Sequence, residues 1–222
     1  MAHQRPILLL VTDRTLVEET VLYENVKKAV AGGVDWVQIR EKEFTGLELT
    51  NHARSIQDAA REGASQRQGS VKIFINRFVD VAIVIGADGV HLGFDAIPSA
   101  AARELLPRNS LITSARHDVD EIIRRKDEPI DAVQLAPIFN PISKRPERIP
   151  AGIENLKKAV RAAPFLKILA QGGITPENAA HCIKAGAHGV AVTGSLLQAK
   201  CSKKRAEELR SAIDGVRSNY AP

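Results

Sequence analysis

The sequence predicts a closed (β/α)8 barrel, an α/β TIM-barrel fold that occupies residues 1–222 as a single domain. Apolar runs of strand length alternate with helical stretches from one end of the chain to the other. The runs are continuous and not broken by alternating polar residues, which indicates parallel strands covered by helices. Eight such units within 222 residues fit one barrel of this kind.

Strands and helices follow one another along the chain in the order that a barrel requires. The predicted strands cover residues 7–12, 34–40, 72–76, 89–91, 111–114, 132–136, 167–171 and 189–193. The predicted amphipathic helices cover residues 21–31, 47–61, 99–106, 119–126, 152–163, 177–185 and, as the last helix, 203–216. Each strand thus leads through a helix to a parallel neighbour.

A weak internal repeat, in which a helix ends and a strand begins at once, supports this arrangement. Residues 31–37, 85–90 and 185–190 share it, and residues 129–133 are a degenerate fourth copy. Glycine ends each helix in the left-handed conformation before a short loop. These segments precede strands and so lie at the bottom of the barrel, where we interpret them as stability elements. Functional residues are expected at the opposite end.

Composition excludes several classes of partner. The net charge is +5, but aromatic residues are only 4% of the chain and do not interleave with the basic ones. Without a stacking platform, nucleic acid is not an expected partner, and anionic small molecules fit the charge equally well. The chain has no apolar run of 18 residues and no signal-peptide pattern, so no membrane association is expected. Cys182 and Cys201 form no metal or disulfide pattern, which indicates a reduced cytoplasmic protein.

The string from Gln38 to Lys42 ends the second predicted strand and is the most informative motif. Arg40 and Lys42 are two positions apart, so on a strand they would point to the same face. Together they can bind one anionic group, the Arg through its planar fork and the Lys as a point charge. A solvated strand end is the alternative. Polar residues at other strand tips favour a binding site.

Two glycine loops follow the last two predicted strands. Gly172 and Gly173 follow strand seven, and Thr193, Gly194 and Ser195 follow strand eight. Glycines let backbone N–H groups approach an anion closely, and barrels of this type commonly hold a phosphate here. The alternative is that these glycines form ordinary tight turns. Two glycine loops on adjacent strands favour phosphate binding over that alternative.

Further polar residues lie at the other strand tips. Asn76 and Arg77 follow strand three, His91 ends strand four, and His117 lies just beyond strand five. The loop after strand six contains Ser143 and Lys144 and is either a lid over the site or an ordinary connection. His52, His181 and His188 are placed on helices or at the barrel bottom and receive no role. No cluster has metal-ligand spacing.

Taken together, these residues resemble the thiamin phosphate synthase and thiazole tautomerase (TenI-type) family. The resemblance runs nearly end to end and rests on these segments: 11–13, 37–42, 74–76, 86–93, 136–139, 172–174 and 185–187. It implies a barrel that binds a small phosphorylated thiazole at the loops of strands seven and eight. It also implies a role in thiamin biosynthesis.

The synthase branch of this family joins the thiazole phosphate to an aminopyrimidine pyrophosphate and releases pyrophosphate with the help of magnesium. The resemblance implies that Gln38, Arg40, Lys42, Asn76 and Lys144 face the pyrimidine and its pyrophosphate. The two magnesium-binding aspartates of the family correspond here to Arg77 and Ala96. Asp95, one position away, would be the metal ligand only if the chain is a synthase. Loss of both carboxylates removes the charge that holds the cation.

The tautomerase branch shifts a proton within a thiazole carboxylate phosphate, aromatises the ring and needs no cofactor. In that branch a His of a Ser-x-His motif after strand five acts as general acid and base. Here the string is Ser114-Ala115-Arg116-His117, with one extra residue, so His117 either acts in this way or caps the following helix. Arg40, Lys42 or Arg77 would then bind the carboxylate.

Because of these departures from the synthase pattern, the favoured function is that of a metal-independent thiazole tautomerase, which is an isomerase. A thiamin phosphate synthase, a transferase, is the alternative. A non-catalytic barrel that binds thiamin intermediates or regulates a partner is the second alternative. Self-association into a homo-oligomer stays open, because barrels of this kind often associate.

Overall fold

A computed structural model describes residues 5–125, 127–140 and 149–216. Its eight parallel strands close into a barrel in the order of the chain. The strands are β1 (Ile7–Val11), β2 (Trp36–Ile39), β3 (Lys72–Asn76), β4 (Gly89–Leu92), β5 (Leu111–Arg116), β6 (Ala132–Leu135), β7 (Lys167–Gln171) and β8 (Gly189–Val192). The predicted (β/α)8 fold is confirmed.

Helices separate the strands and cover the outside of the barrel. They are α1 (Glu19–Ala31), α2 (Gly46–Gln66), α3 (Val79–Ile85), α4 (Ser99–Leu105), α5 (Val119–Arg124), α6 (Gly152–Ala162), α7 (Pro176–Lys184), α8 (Gly194–Leu197) and α9 (Ser202–Asp214). The sequence did not predict α3 or the four-residue α8. Five of the seven α3 residues are β-branched and the segment lacks an amphipathic period in its sequence, so its helical state is imposed by packing against α2, β3 and β4.

Two apolar layers hold the barrel together. Alternate strand residues such as Leu9, Trp36, Phe74 and Leu169 fill the interior of the barrel, where Trp36 and Phe74 stack at 4.8 Å between ring centroids. The residues between them point outward and form a larger core with the buried faces of the helices. Each large side chain buried in this way contributes roughly 1.5–3 kcal/mol. Buried polar residues such as Gln38, His91 and Gln134 enter the interior toward the carboxyl ends of the strands.

The internal repeat closes the bottom of the barrel through side chains. In each copy, the residue just before an even-numbered strand accepts a hydrogen bond from a backbone N–H of the preceding odd-numbered strand. The four bonds are Leu8 N to Asp35 Oδ2 (2.9 Å), Ile73 N to Asp88 Oδ2 (2.8 Å), Ile112 N to Asp131 Oδ2 (2.7 Å) and Ile168 N to His188 Nδ1 (3.2 Å). The degenerate copy around Asp131 and the copy that carries His188 therefore do the same structural task as the others.

Two further findings concern the partners and the redox state that composition suggests. Within residues 5–125, 127–140 and 149–216, no helix is long and apolar enough to cross a membrane. Cys182 and Cys201 are both free thiols, the first buried in the core and the second exposed. Burial raises the pKa of the Cys182 thiol to about 12, so this group stays protonated and inert.

Candidate active site

The floor of the barrel mouth is a chain of three amides. Gln38 of β2 and Gln134 of β6 lie on opposite sides of the barrel, and Gln134 Nε2 donates to Gln38 Oε1 at 2.7 Å. Gln38 Nε2 donates in turn to Asn76 Oδ1 at 3.4 Å. Gln38 and Gln134 are each 1% exposed, so these amides separate the apolar interior from the mouth. The sequence predicted Gln38 and Asn76 for the site but missed Gln134.

His91 completes this floor beside Asn76, its register partner on β3. Its Nδ1 lies 2.9 Å from the hydroxyl of Thr113, which donates to the Val90 carbonyl at 3.3 Å. The hydroxyl therefore accepts from Nδ1–H, which leaves Nε2 as the unprotonated nitrogen. Burial, together with the charges of Arg40 and Arg116, lowers the pKa of His91 to about 3. His91 is therefore a neutral group and not a cation for an anionic ligand.

The predicted cation pair lies in a loop and not on a strand, because β2 ends at Ile39. The expectation that Arg40 and Lys42 share a strand face is therefore wrong, although both remain at the mouth. Arg40 is half-buried and Lys42 is exposed, and neither side chain has a hydrogen bond or ion pair with the described residues. Both cations are free to bind an anion.

Glu41, between the two cations, turns away from the mouth. Its carboxylate accepts hydrogen bonds from the Thr12 hydroxyl (2.6 Å) and from the Arg14 N–H (3.0 Å). Thr12 Oγ1 also accepts from the Arg40 N–H at 2.9 Å, so the tips of β1 and β2 are tied together. His52 backs this arrangement, with Nε2 at 3.8 Å from Glu41 Oε1. These contacts give His52 a structural role that the sequence did not indicate.

Arg77 lies at the tip of β3 and forms an ion pair with Asp95. Its Nη1 donates to Asp95 Oδ2 at 2.7 Å, and Nη2 approaches the Lys42 carbonyl at 3.4 Å. The guanidinium also covers the Phe78 ring at 4.6 Å. The Arg77 side chain lowers the pKa of Asp95, which is therefore a carboxylate committed to Arg77.

Magnesium, which the family resemblance implies, does not fit the residues around Asp95. A magnesium site needs oxygen ligands, and the neighbouring strand tip supplies a guanidinium that already holds the carboxylate. Among the residues that the structure describes, no three His, Cys, Asp or Glu side chains are placed to hold a metal ion.

The glycine loop after β7 is shaped by the loop after β6. Gly172 and Gly173 have φ values of +93° and +64°, and a Cβ on Gly172 would lie 2.7 Å from Pro137. A Cβ on Gly173 would lie 2.4 Å from the Asn140 carbonyl oxygen. Both glycines are thus required for close packing between two loops. This packing places their backbone at the mouth.

The loop after β8 lies next to this glycine loop, because Gln171 pairs with Ala191. Thr193, Gly194 and Ser195 follow, partly exposed, and the buried Oγ of Ser195 has no hydrogen-bond partner among the described residues. An unpaired buried hydroxyl next to the half-buried Gly194 is a feature that a bound anion would satisfy.

His117 lies at the mouth, one residue beyond the end of β5. The extra residue Arg116 turns outward, where its guanidinium bonds the Ser114 hydroxyl and Glu128, both at 2.5 Å. His117 Nδ1 lies 2.8 Å from the Ala136 carbonyl oxygen, so this nitrogen carries a proton and Nε2 is the ring nitrogen left for a ligand. The ring does not cap α5, whose N-cap is Asp118. The capping alternative is therefore wrong.

The barrel brings most of the predicted residues to one mouth. Gln38, Asn76 and His91 form its floor, the cations lie at the β2 and β3 tips, and His117 lies at the β5 tip. Ser143 and Lys144 lie outside the described residues. The missed residue Gln134 had one sequence signal, a polar side chain at an inward position of an apolar strand.

Comparisons with known proteins show which family this chain is similar to. The family described as "Thiamine monophosphate synthase" matches residues 8–196. A thiamine-phosphate synthase of Azorhizobium caulinodans is 36% identical over 210 residues, which cover 95% of this chain and 96% of that protein. One of Clostridium acetobutylicum is 31% identical over 212 residues, covering 96% of this chain and 95% of that protein.

A solved structure shows the same architecture. It is the thiamine phosphate pyrophosphorylase of Pyrococcus furiosus, with a TM-score of 0.81 and 28% sequence identity. The match covers 95% of this chain and 96% of that one.

Proposed function

The chain belongs to the thiamine monophosphate synthase family, and from this premise we propose that it is a thiamine-phosphate synthase. The thiazole ring nitrogen would attack the methylene carbon of an aminopyrimidine pyrophosphate. A C–N bond forms, the C–O bond breaks, and the electron pair leaves with pyrophosphate. The relatives named above support this transferase, the alternative in the sequence interpretation, and do not support the tautomerase that it placed first.

The observation that carries the proposal is a pair of uncommitted cations beside the amide floor. Arg40 and Lys42 have no carboxylate partner among the described residues, whereas Arg77 does. A pyrophosphate leaving group develops negative charge as the C–O bond breaks, and fixed cations stabilise that charge. The planar guanidinium of Arg40 can bind two oxygens at once. The flexible side chain of Lys42 lets its ammonium group stay in contact with the leaving group as it moves.

The second substrate, a thiazole phosphate, fits the opposite sector of the mouth. The loops after β7 and β8 offer Gly172, Gly173, Gly194 and the unpaired hydroxyl of Ser195. Backbone N–H groups and a hydroxyl can bind a phosphate dianion without a positively charged side chain. The β1 tip separates this sector from Arg40 and Lys42 on one side, so two anionic groups can bind at once.

One observation favours a second candidate function, the thiazole tautomerase. The Nδ1–H of His117 is held by the Ala136 carbonyl, which leaves Nε2 as the ring nitrogen that a substrate can meet. An imidazole held in this way can use Nε2 to remove a proton next to a ring and return it elsewhere. Arg40 and Lys42 would then bind a carboxylate in place of pyrophosphate.

One set of assays separates these functions. Wild-type protein is given both synthase substrates, and thiamine phosphate and released pyrophosphate are measured. We expect turnover, with a loss of about a hundredfold in Arg40→Gln because a donor to the developing charge is removed. Arg54→Gln, an exposed arginine on α2, is the matched control and should stay within about twofold.

Other outcomes would redirect the proposal. Absence of synthase product, with tautomerisation that falls about a hundredfold in His117→Asn, would support the second function instead. Binding of thiazole phosphate without either turnover would identify a non-catalytic barrel.

A further inference from the structure

The amide chain at the floor of the mouth has a direction. An amide side chain has an NH2 group that only donates and an oxygen that only accepts. Gln134 donates to Gln38 (2.7 Å), and Gln38 donates to Asn76 (3.4 Å). Because Gln134 occupies Gln38 Oε1, the Gln38 amide is fixed with its NH2 group toward Asn76. The NH2 groups of Gln38 and Asn76 are thereby the donors on the β2–β3 side of the mouth.

This arrangement leaves an unsatisfied group behind it. Gln134 Oε1 is buried and has no hydrogen-bond partner among the described residues. A buried acceptor without a partner costs about 1–3 kcal/mol, and such groups are rare in folded proteins. A Met of similar size would remove this unpaired acceptor but would leave the buried Gln38 Oε1 without its donor. The amide therefore gives the barrel little net stability, which points to a functional reason for it.

The ligand class follows from the groups that are presented. Two amide donors beside the uncommitted Arg40 and Lys42 are complementary to a ring nitrogen lone pair near an anionic group. An aminopyrimidine pyrophosphate combines these two features. A thiazole phosphate bound in the sector of β7 and β8 would not meet these donors.

We infer that Gln134 is a positioning residue that selects the aminopyrimidine substrate by fixing the amide orientation of Gln38 and Asn76. This inference rests on the proposed function, because it names the part of that site that forms hydrogen bonds to the pyrimidine ring. Gln134 acts through Gln38 and touches no reacting atom. Its loss would let the Gln38 amide rotate and present an oxygen to the ring nitrogen, which is repulsive.

The test compares Gln134→Met with Gln57→Met. Gln57 on α2 is also a buried amide, 5% exposed, and donates to the Ile85 carbonyl at 3.4 Å outside the mouth. Binding of aminopyrimidine pyrophosphate and of thiazole phosphate is measured separately by calorimetry, with Tm for each protein. We expect Gln134→Met to weaken the pyrimidine ligand about tenfold, the effect of one oriented hydrogen bond. Thiazole phosphate binding should stay within about twofold, and Tm should be nearly unchanged, because one unpaired buried acceptor replaces another.

Gln57→Met should leave both affinities unchanged. Equal pyrimidine affinity in Gln134→Met and wild type would overturn the inference while the proposed function stands. An equal loss for both ligands, or a loss accompanied by a lower Tm, would also overturn it, since that pattern indicates general damage to the mouth. Wild-type protein that binds no aminopyrimidine pyrophosphate would overturn the inference together with the proposed function.

Discussion

Arg77 and Asp95 join the tips of β3 and β4 through an ion pair of 2.7 Å. Arg77 adopts a left-handed backbone with φ of +56°, which is uncommon for a residue other than glycine and carries a conformational cost. The family resemblance places a magnesium-binding carboxylate at this position. One guanidinium and one carboxylate are neutral together, as are one Mg²⁺ and two carboxylates. The ion pair therefore links the same two tips without changing the local charge.

Replacing Arg77 should create a magnesium site. In Arg77→Asp, two carboxylates face each other across neighbouring strand tips, and Asp also tolerates the left-handed backbone better than Arg. We expect millimolar MgCl2 to raise the Tm of this variant and to leave the wild-type Tm unchanged. Arg77→Asn is the matched control, with the same shape but only one carboxylate. A magnesium response in wild type equal to that of Arg77→Asp would contradict the role given to this ion pair.

The aspartates at the barrel bottom should contribute to stability and not to turnover. Asp131 Oδ2 accepts from the Ile112 N–H and from Arg103, both at 2.7 Å. In Asp131→Ala these groups lose their acceptor, so we expect the free energy of unfolding to fall by about 1–3 kcal/mol. Chemical denaturation measures this change, and Asp127→Ala, at an exposed position outside the repeat, is the control. A change below about 0.5 kcal/mol would show that the repeat is not a stabilising element.

His188 should make the barrel less stable as the pH falls. Partial desolvation of the ring, although the residue is exposed, and the charge of Lys167 lower the pKa of His188 below its usual 6.5, and Nδ1 must be unprotonated to accept from Ile168 N–H. The unfolded chain therefore binds a proton below about pH 6.5 that the folded chain resists. His188→Asp restores the residue of the other copies and places a carboxylate near Lys167, so its stability should depend less on pH between about 5 and 7. Parallel pH profiles of the two proteins would refute this mechanism.

His52 should have the opposite effect. Burial lowers its pKa, but the carboxylates of Glu41 and Glu19 more than offset this and raise it above 6.5. The stabilisation is therefore fully present below about pH 6.5 and is lost as the pH rises through the raised folded-state pKa. We expect the stability gap between wild type and His52→Gln to narrow as the pH increases from 6 to 9. Denaturant midpoints at each pH measure it, with the exposed His181→Gln as control. A gap that widens with pH would reverse the sign that we assign.

Much of the fold follows from the sequence because local signals agree with the final structure. Continuous apolar strands predict parallel pairing, and the internal repeat predicts where the even-numbered strands begin. Helix α3 departs from this agreement. Its residues Val79–Ile85 favour a strand by composition, but both neighbouring strands are already paired, so the segment packs outside the barrel as a helix.

The candidate site was only partly predictable. Arg40, Asn76 and the glycine loops lie at strand tips, and the alternation of strands and helices is sufficient to bring all such tips to one end. Gln134 and the committed state of Asp95 were not predictable in this way. Their roles depend on partners 96 and 18 residues away in sequence, and local patterns carry no information on such distances.

The sequence by itself determined the barrel, the family and the end of the barrel that carries the polar residues, because each depends on local periodicity or on contiguous motifs. Only the tertiary structure decided which of those residues are free. Arg40 and Lys42 have no partner within the part of the chain that the structure describes, Arg77 is held by Asp95, and Glu41 is turned toward Thr12. The reason is physical: a charged side chain at a strand tip can face a ligand or a neighbouring loop. The partner that the closed barrel brings within hydrogen-bonding distance settles which of the two occurs.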